Sequence, residues 1–154
     1  MDVYERIKEN GVEITPSPAA RGLYRSTVIP GTRLLYTSGT APRLNGENLY
    51  SGRLGENVTV EQGQACARLC ATNILGHLQK DLGNLNRVVR VVKVTGFIAS
   101  GDDFFSQTEV LNGASKVFAD AFGEEGIGVR SAIGVRSLPK NIPVEVEAVF
   151  EIRD

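Results

Sequence analysis

The chain has 154 residues, with 17 basic and 18 acidic side chains and a formal net charge of −1. That length fits one domain, and 42% apolar residues is too many for a disordered chain. The balance of charge lacks the cationic excess that holds phosphates, which disfavours a dedicated nucleic-acid binder. A single His excludes multi-His metal sites and argues against a Cys–His zinc site, so no metal and no cofactor is expected. No segment approaches the ~18 apolar residues of a membrane span. The N-terminus lacks the basic start and apolar stretch of a signal peptide. Cys66 and Cys70 lie four apart in a helical stretch. Helix geometry does not suit a disulfide there, and two small buried side chains are expected in a reducing, cytoplasmic setting.

Residues 2–10 read as a short amphipathic helix with Val3, Tyr4 and Ile7 on one side and Gly11 as its stop. Thr15-Pro16-Ser17-Pro18 reads as extended and irregular. Residues 23–29 and 33–38 form two strands around the turn signal Pro30-Gly31-Thr32. Gly39 to Gly55 is a long loop holding a small hairpin. Thr59 and Gln62 are spaced as a capping box, and Ala67, Cys70, Ala71, Ile74, Leu75, Leu78 and Leu82 follow at helical spacing until Gly83-Asn84. Residues 87–98 are β-branched and read as a long strand. Asp102 or Asp103 is expected to cap a third helix, whose apolar stripe is Leu111, Ala114, Val117, Phe118, Ala121 and Phe122. Strands over about 130–137 and 144–152 close the chain.

Strand and helix do not alternate strictly, so the fold class is α+β with a mixed sheet. In the last strand Val144, Val146, Ala148, Phe150 and Ile152 face one way, and Glu145, Glu147, Val149 and Glu151 the other. The apolar row belongs under two helices packed on one face. In the long central strand, Val89, Val91 and Phe97 on one face oppose Val88, Val92, Val94 and Ile98 on the other. A strand apolar on both sides expects both to be covered. Another subunit would supply the missing cover.

Gly-x-Ser-x-Gly, P-loop, His-Glu-x-x-His and Cys-x-x-Cys motifs are absent. His77, four positions before Asp81, reads as an ordinary helix residue, since a useful pKa is weak evidence for catalysis. Arg130 opens a strand after a Gly-rich loop, and its planar fork suits a carboxylate. Glu145 stands on the non-helical face of the last strand. By residue type alone both are read first as surface charges.

The block Arg130-Ser-Ala-Ile-Gly-Val through Leu138-Pro139 to Val144-Glu-Val-Glu-Ala148 resembles the C-terminal signature of the RidA/YjgF family. These are enamine/imine deaminases, some also labelled L-PSP endoribonucleases. Leu34-Leu35-Tyr36-Thr37-Ser38-Gly39, the strand from Asn86 to Phe97, Asn112 in the third helix and Tyr24 extend the likeness over about residues 20–152. The first 19 residues, an added helix and lead-in, are similar to the family's longer branch of roughly 150 residues. The chain is thus expected to be a single domain over 1–154. The resemblance implies a chorismate-mutase-like fold assembled as a homotrimer, with the sheets facing its centre.

It also implies hydrolytic deamination of 2-enamino or 2-imino acids of the 2-aminoacrylate type. Arg130 would grip the substrate carboxylate, Glu145 would position the attacking water, and Tyr24, Gly39 and Asn112 would line the pocket. An iminium carbon is already electrophilic, so such a site needs orientation, a carboxylate clamp and a polarised water. Thr40 stands where the family usually has Gln, and Ala132 where it often has Cys; both departures bear on substrate choice. If the last two strands formed a hairpin near residue 140, Arg130 and Glu145 would be offset by roughly 13 Å. That distance argues for a pocket between subunits. The alternatives are a small-carboxylate-binding regulatory module without turnover and, less supported, an endoribonuclease or translation inhibitor.

Overall fold

The computed structural model describes residues 1–154. Its elements follow from where the apolar side chains can hide. Helix α1 (Val3–Glu9) is capped by Asp2, whose Oδ1 accepts from the Tyr4 amide at 2.8 Å. It buries Val3 and Ile7, and Tyr4 instead clips α1 in place through its hydroxyl. That hydroxyl donates to Gln79 at 2.6 Å and accepts from the Leu85 amide at 3.0 Å. The two predicted N-terminal strands are short: β1 (Thr27–Val28) pairs antiparallel with β2 (Leu34–Thr37). The loop hairpin is β3 (Arg43–Leu44) and β4 (Glu47–Asn48), turned by Asn45 and Gly46, both at positive φ as a tight hairpin turn requires.

Helix α2 (Val60–Leu82) starts at the predicted capping box, with Thr59 and Gln62 bonding each other's backbone, worth about 1 kcal/mol. It ends at Gly83 in the left-handed region. Strand β5 is Val88–Ala99, helix α3 is Gln107–Phe122, β6 is Val129–Val135 and β7 is Val144–Ile152. The main sheet runs β1-β2-β7-β5-β6, with β5 and β6 parallel and the other pairs antiparallel. It is therefore an α+β fold with a mixed sheet, and α2 and α3 cover one face. Between them lie Val144, Val146, Ala148, Phe150 and Ile152, all buried. Phe118 and Phe122 meet Phe150 edge-to-face at 5.6 and 6.3 Å between ring centroids. No helix is long and apolar enough to cross a membrane.

Three expectations fail. First, β6 and β7 do not form a hairpin, because β5 lies between them. A fully buried apolar row suits β7 to a central position with two neighbours. Strand β6, with Val129 69% and Ile133 41% exposed, suits the edge. Pairing β6 parallel to β5 requires a crossover, which α3 supplies. Second, Val91 faces the helices together with Val88 and Val94. Irregularities between Val88 and Arg90 and between Val91 and Lys93 break the period of two. Third, neither Asp102 nor Asp103 caps α3. Phe104 packs against Gly55 and delays the helix to Gln107, whose side chain donates to the Phe104 carbonyl at 2.8 Å.

Where α2 and α3 cross, Gly113 lies on the α2 backbone: a Cβ there would fall 3.0 Å from Gln64 Cα and closer still to the Gln64 carbonyl. Gly113→Ala should cost about 1–3 kcal/mol by overpacking. The expected result is a thermal midpoint lowered by several degrees in calorimetry; an unchanged midpoint would refute the close crossing.

Candidate functional site

Beyond β2 the chain bends through Ser38 and Gly39, and Thr40 rejoins the sheet against Val146. Its amide donates to the Val146 carbonyl at 2.8 Å and its carbonyl accepts from the Val146 amide at 3.1 Å. This return lays Gly39 directly on Glu145. A Cβ at Gly39 would stand 2.8 Å from Glu145 Cδ, so glycine is needed here for close approach rather than for its dihedrals. Glu145 is the second residue of β7, opposite Phe97, on the sheet face away from the helices. Burial, and then the neighbouring Glu147, pushes its pKa above the ordinary carboxylate value.

Glu145 opens into a cleft of about 710 Å³. The lead-in over residues 15–21, Tyr24, the 38–41 bend, the β3–β4 hairpin and the 139–142 connection form its walls, and Asn73 and His77 of α2 line it as well. Asn73 holds the bend by donating to the Ala41 and Arg43 carbonyls at 3.0 and 2.9 Å. His77 Nδ1 lies 2.6 Å from Ser17 Oγ. Desolvation lowers the His77 pKa and Lys80 adds to this, against the opposing pull of Asp81, so the ring is neutral at physiological pH. A second cleft of about 610 Å³ lies at the ends of β5 and β6, between Arg53, Phe105 and Arg136. None of the predicted site residues lines it.

Of the five predicted residues, Tyr24, Gly39 and Glu145 line the larger cleft. Arg130 and Asn112 do not. Arg130 lies on the edge strand β6, in register with Val94, and its Nη1 donates to Ser115 Oγ on α3 at 3.0 Å. Asn112 is exposed on α3, one turn before Ser115. In register terms Arg130 and Glu145 stand two strands and three residues apart, about 14 Å between Cα atoms. Odd spacing along β5 also puts them on opposite faces of the sheet. Each chain thus holds Tyr24, Gly39 and Glu145 in one cleft and Arg130, bonded to Ser115, apart from it.

Reading by residue type and motif passed over His77, Asn73, Arg21, Arg43 and Lys140, all of which line the larger cleft. His77 looks ordinary in sequence because the Ser17 that meets it is 60 residues away. The Asn45-Gly46 turn was the one local signal, since a tight hairpin there turns β3 back on β4 next to the bend.

The fold defines a class: a mixed sheet covered on one face by two helices, with a carboxylate cleft at the start of its central strand. Residues 4–149 match the family model described as "YjgF/chorismate_mutase-like, putative endoribonuclease". The chain therefore belongs to the RidA/YjgF family. It is 38% identical over 153 residues to protein TCP17 of Trypanosoma cruzi, covering 99% of this chain and 95% of that one. It resembles the crystal structure of Atu1372 from Agrobacterium tumefaciens, a protein of unknown function, at 40% identity and a TM-score of 0.88. That match covers 99% of this chain and 94% of the other. It is similar too to Escherichia coli TdcF with bound serine, at 26% identity and a TM-score of 0.61, over 92% and 94% of the two chains.

Two outcomes follow. Gly39→Ala should displace the Glu145 carboxylate, since a Cβ there would stand 2.8 Å from its Cδ; a crystal structure of the variant with the carboxylate unmoved would show that the close approach does not require glycine. Glu145→Gln should raise the midpoint at pH 7. The native carboxyl has a raised pKa, so its ionised form costs stability as pH rises through that value. Below the unfolded-state value of 4.5 both states are protonated, and the difference between the variants should stop changing with pH there.

Proposed function

We propose that the protein hydrolyses reactive 2-imino and 2-enamino acids to 2-keto acids and ammonia, in a pocket shared by two subunits of a homotrimer. The observation that carries this reading is the half-buried Glu145 under Gly39, with its pKa raised, opening into the larger cleft. The imine carbon supplies the electrophile. Water adds to the protonated imine as Glu145 takes a proton from the water, forming the C–O bond of a neutral carbinolamine. Glu145 then gives that proton to the nitrogen, the C–N bond breaks and ammonia leaves, while the hydroxyl proton passes back to Glu145 as the keto group forms.

The carboxylate clamp is Arg130 of a neighbouring subunit, with Asn112 beside it. Within one chain Arg130 and Glu145 stand about 14 Å apart on opposite faces, too far to grip one small substrate. The sheet face away from the helices carries Tyr36 and Ile133 at 42% and 41% exposure, together with Phe97 and Val149. This is the apolar cover that packing against second and third copies would bury. The serine held by TdcF is a small amino acid of the size such a pocket takes.

The test is ammonia release from imino acids generated by an amino-acid oxidase. Arg130→Ala and Glu145→Gln should each lower the rate about 100-fold or more. Mixing and reassembling the two inactive variants should restore roughly a quarter of the wild-type activity, since one neighbour pair in four then has both residues. The rate should fall on acidification through a pKa above the ordinary carboxylate value, because Glu145 must be ionised to accept the proton. No acceleration over buffer would overturn the reading in favour of carboxylate binding without turnover.

A further inference from the structure

The larger cleft contains more positive charge than deamination of a monocarboxylate uses. Arg21, Arg43 and Lys140 all line it, and Glu145 is the only carboxylate residue that does. None of the three takes part in an ion pair; the chain's salt bridges are made by Arg53, Arg90 and Lys116. Unpaired cations facing a cavity are poised for an anion.

Two of the three belong to segments joined through one side chain. Asn48 of β4 accepts from Arg43 Nε at 2.9 Å and donates to the Lys140 carbonyl at 3.1 Å. The side chain of one residue thus holds the Arg43 guanidinium and ties the hairpin to the backbone of the 139–142 connection, where Lys140 also lines the cleft. Arg43 uses only Nε in this bond, which leaves both terminal nitrogens of its fork without partners in the chain. Lys140 has φ of 56° and Asn141 has φ of 59°, a conformation that non-glycine residues rarely adopt. Arg21 comes from the lead-in and lies over the hairpin turn: a Cβ at Gly46 would stand 2.7 Å from its Nη2.

None of these cations forms an ion pair with Glu145. The cleft is also larger than a three-carbon acid can fill, since volumes of about 300–1,000 Å³ serve much bigger ligands.

We infer that Arg21, Arg43 and Lys140 form a subsite for a second, distal carboxylate, so that the preferred substrate is a dicarboxylic imino acid. The inference deepens the deaminase reading and rests on its placement of the reacting carbon beside Glu145. Arg130 of the neighbouring chain takes the carboxylate next to that carbon, and the Arg43 fork takes the far one.

The experiment compares full-length wild type with Arg21→Gln and Arg43→Gln. Calorimetric titration with glutarate and butyrate reads binding alone. Ammonia release from the imino acids generated from glutamate and norvaline, which share a chain length, reads turnover. Wild type should bind glutarate at least tenfold more tightly than butyrate and favour the glutamate-derived imine by a similar factor. Each variant should bring both ratios toward one. Because Arg43→Gln also removes the bond to Asn48, Arg21→Gln, which breaks no hydrogen bond, serves as the independent check. Tight glutarate binding without turnover of either imine would overturn the deaminase reading and uphold the subsite. Turnover of both imines at equal rates, with equal binding of the two acids, would overturn the subsite and leave the deaminase reading intact. Equal weak binding of both acids, displaced by a short oligoribonucleotide, would assign the cations to phosphate and also overturn the inference.

Discussion

The insertion of β7 between β2 and β5 decides where everything else in this molecule can lie. It makes the last strand the centre of the sheet, paired on both sides and buried along its inner row. Strand β6 is then left to the edge, and pairing it parallel to β5 demands the crossover through α3. Glu145 and Arg130 lie 15 residues apart in sequence and end up flanking opposite sides of β5. The packing of one strand therefore sets Glu145 and Arg130 apart within the chain, on opposite faces of the sheet.

The cleft shows a related economy. Glu145 is held where its charge is costly, partly desolvated and close to Glu147, and Gly39 gives it room. A carboxylate in such surroundings is a better proton acceptor near neutral pH than an exposed one. His77 is pushed the other way, to neutrality, by the same loss of water. The cleft thus holds a carboxylate with a raised pKa and a histidine with a lowered one, and Arg21, Arg43 and Lys140 line it as well.

Features carried by consecutive residues were legible in the sequence. The capping box at Thr59 and Gln62, the left-handed stop at Gly83 and the inward row of β7 are local patterns, and each forms where its residues predict. What escaped depended on distant partners. The α3 start moved because Phe104 packs on Gly55, nearly 50 residues upstream. Val91 turned toward the helices because β5 breaks its register against β7. Neither event leaves a signature in the few residues around it.

The candidate site divides along the same line. The sequence by itself determined which residue types were present: an arginine after a Gly-rich loop, a glutamate alternating with apolar neighbours, and almost no His or Cys. Periodicity fixed the faces they occupy, because side-chain direction follows from the backbone repeat. Only the tertiary structure decided that Tyr24, Gly39 and Glu145 share one cleft while Arg130 and Asn112 stand apart from it. It also brought Arg21, Arg43 and Lys140 to that cleft from three separate segments. Strand order causes both outcomes, and it is set by which apolar rows bury best against one another, a property of the whole chain.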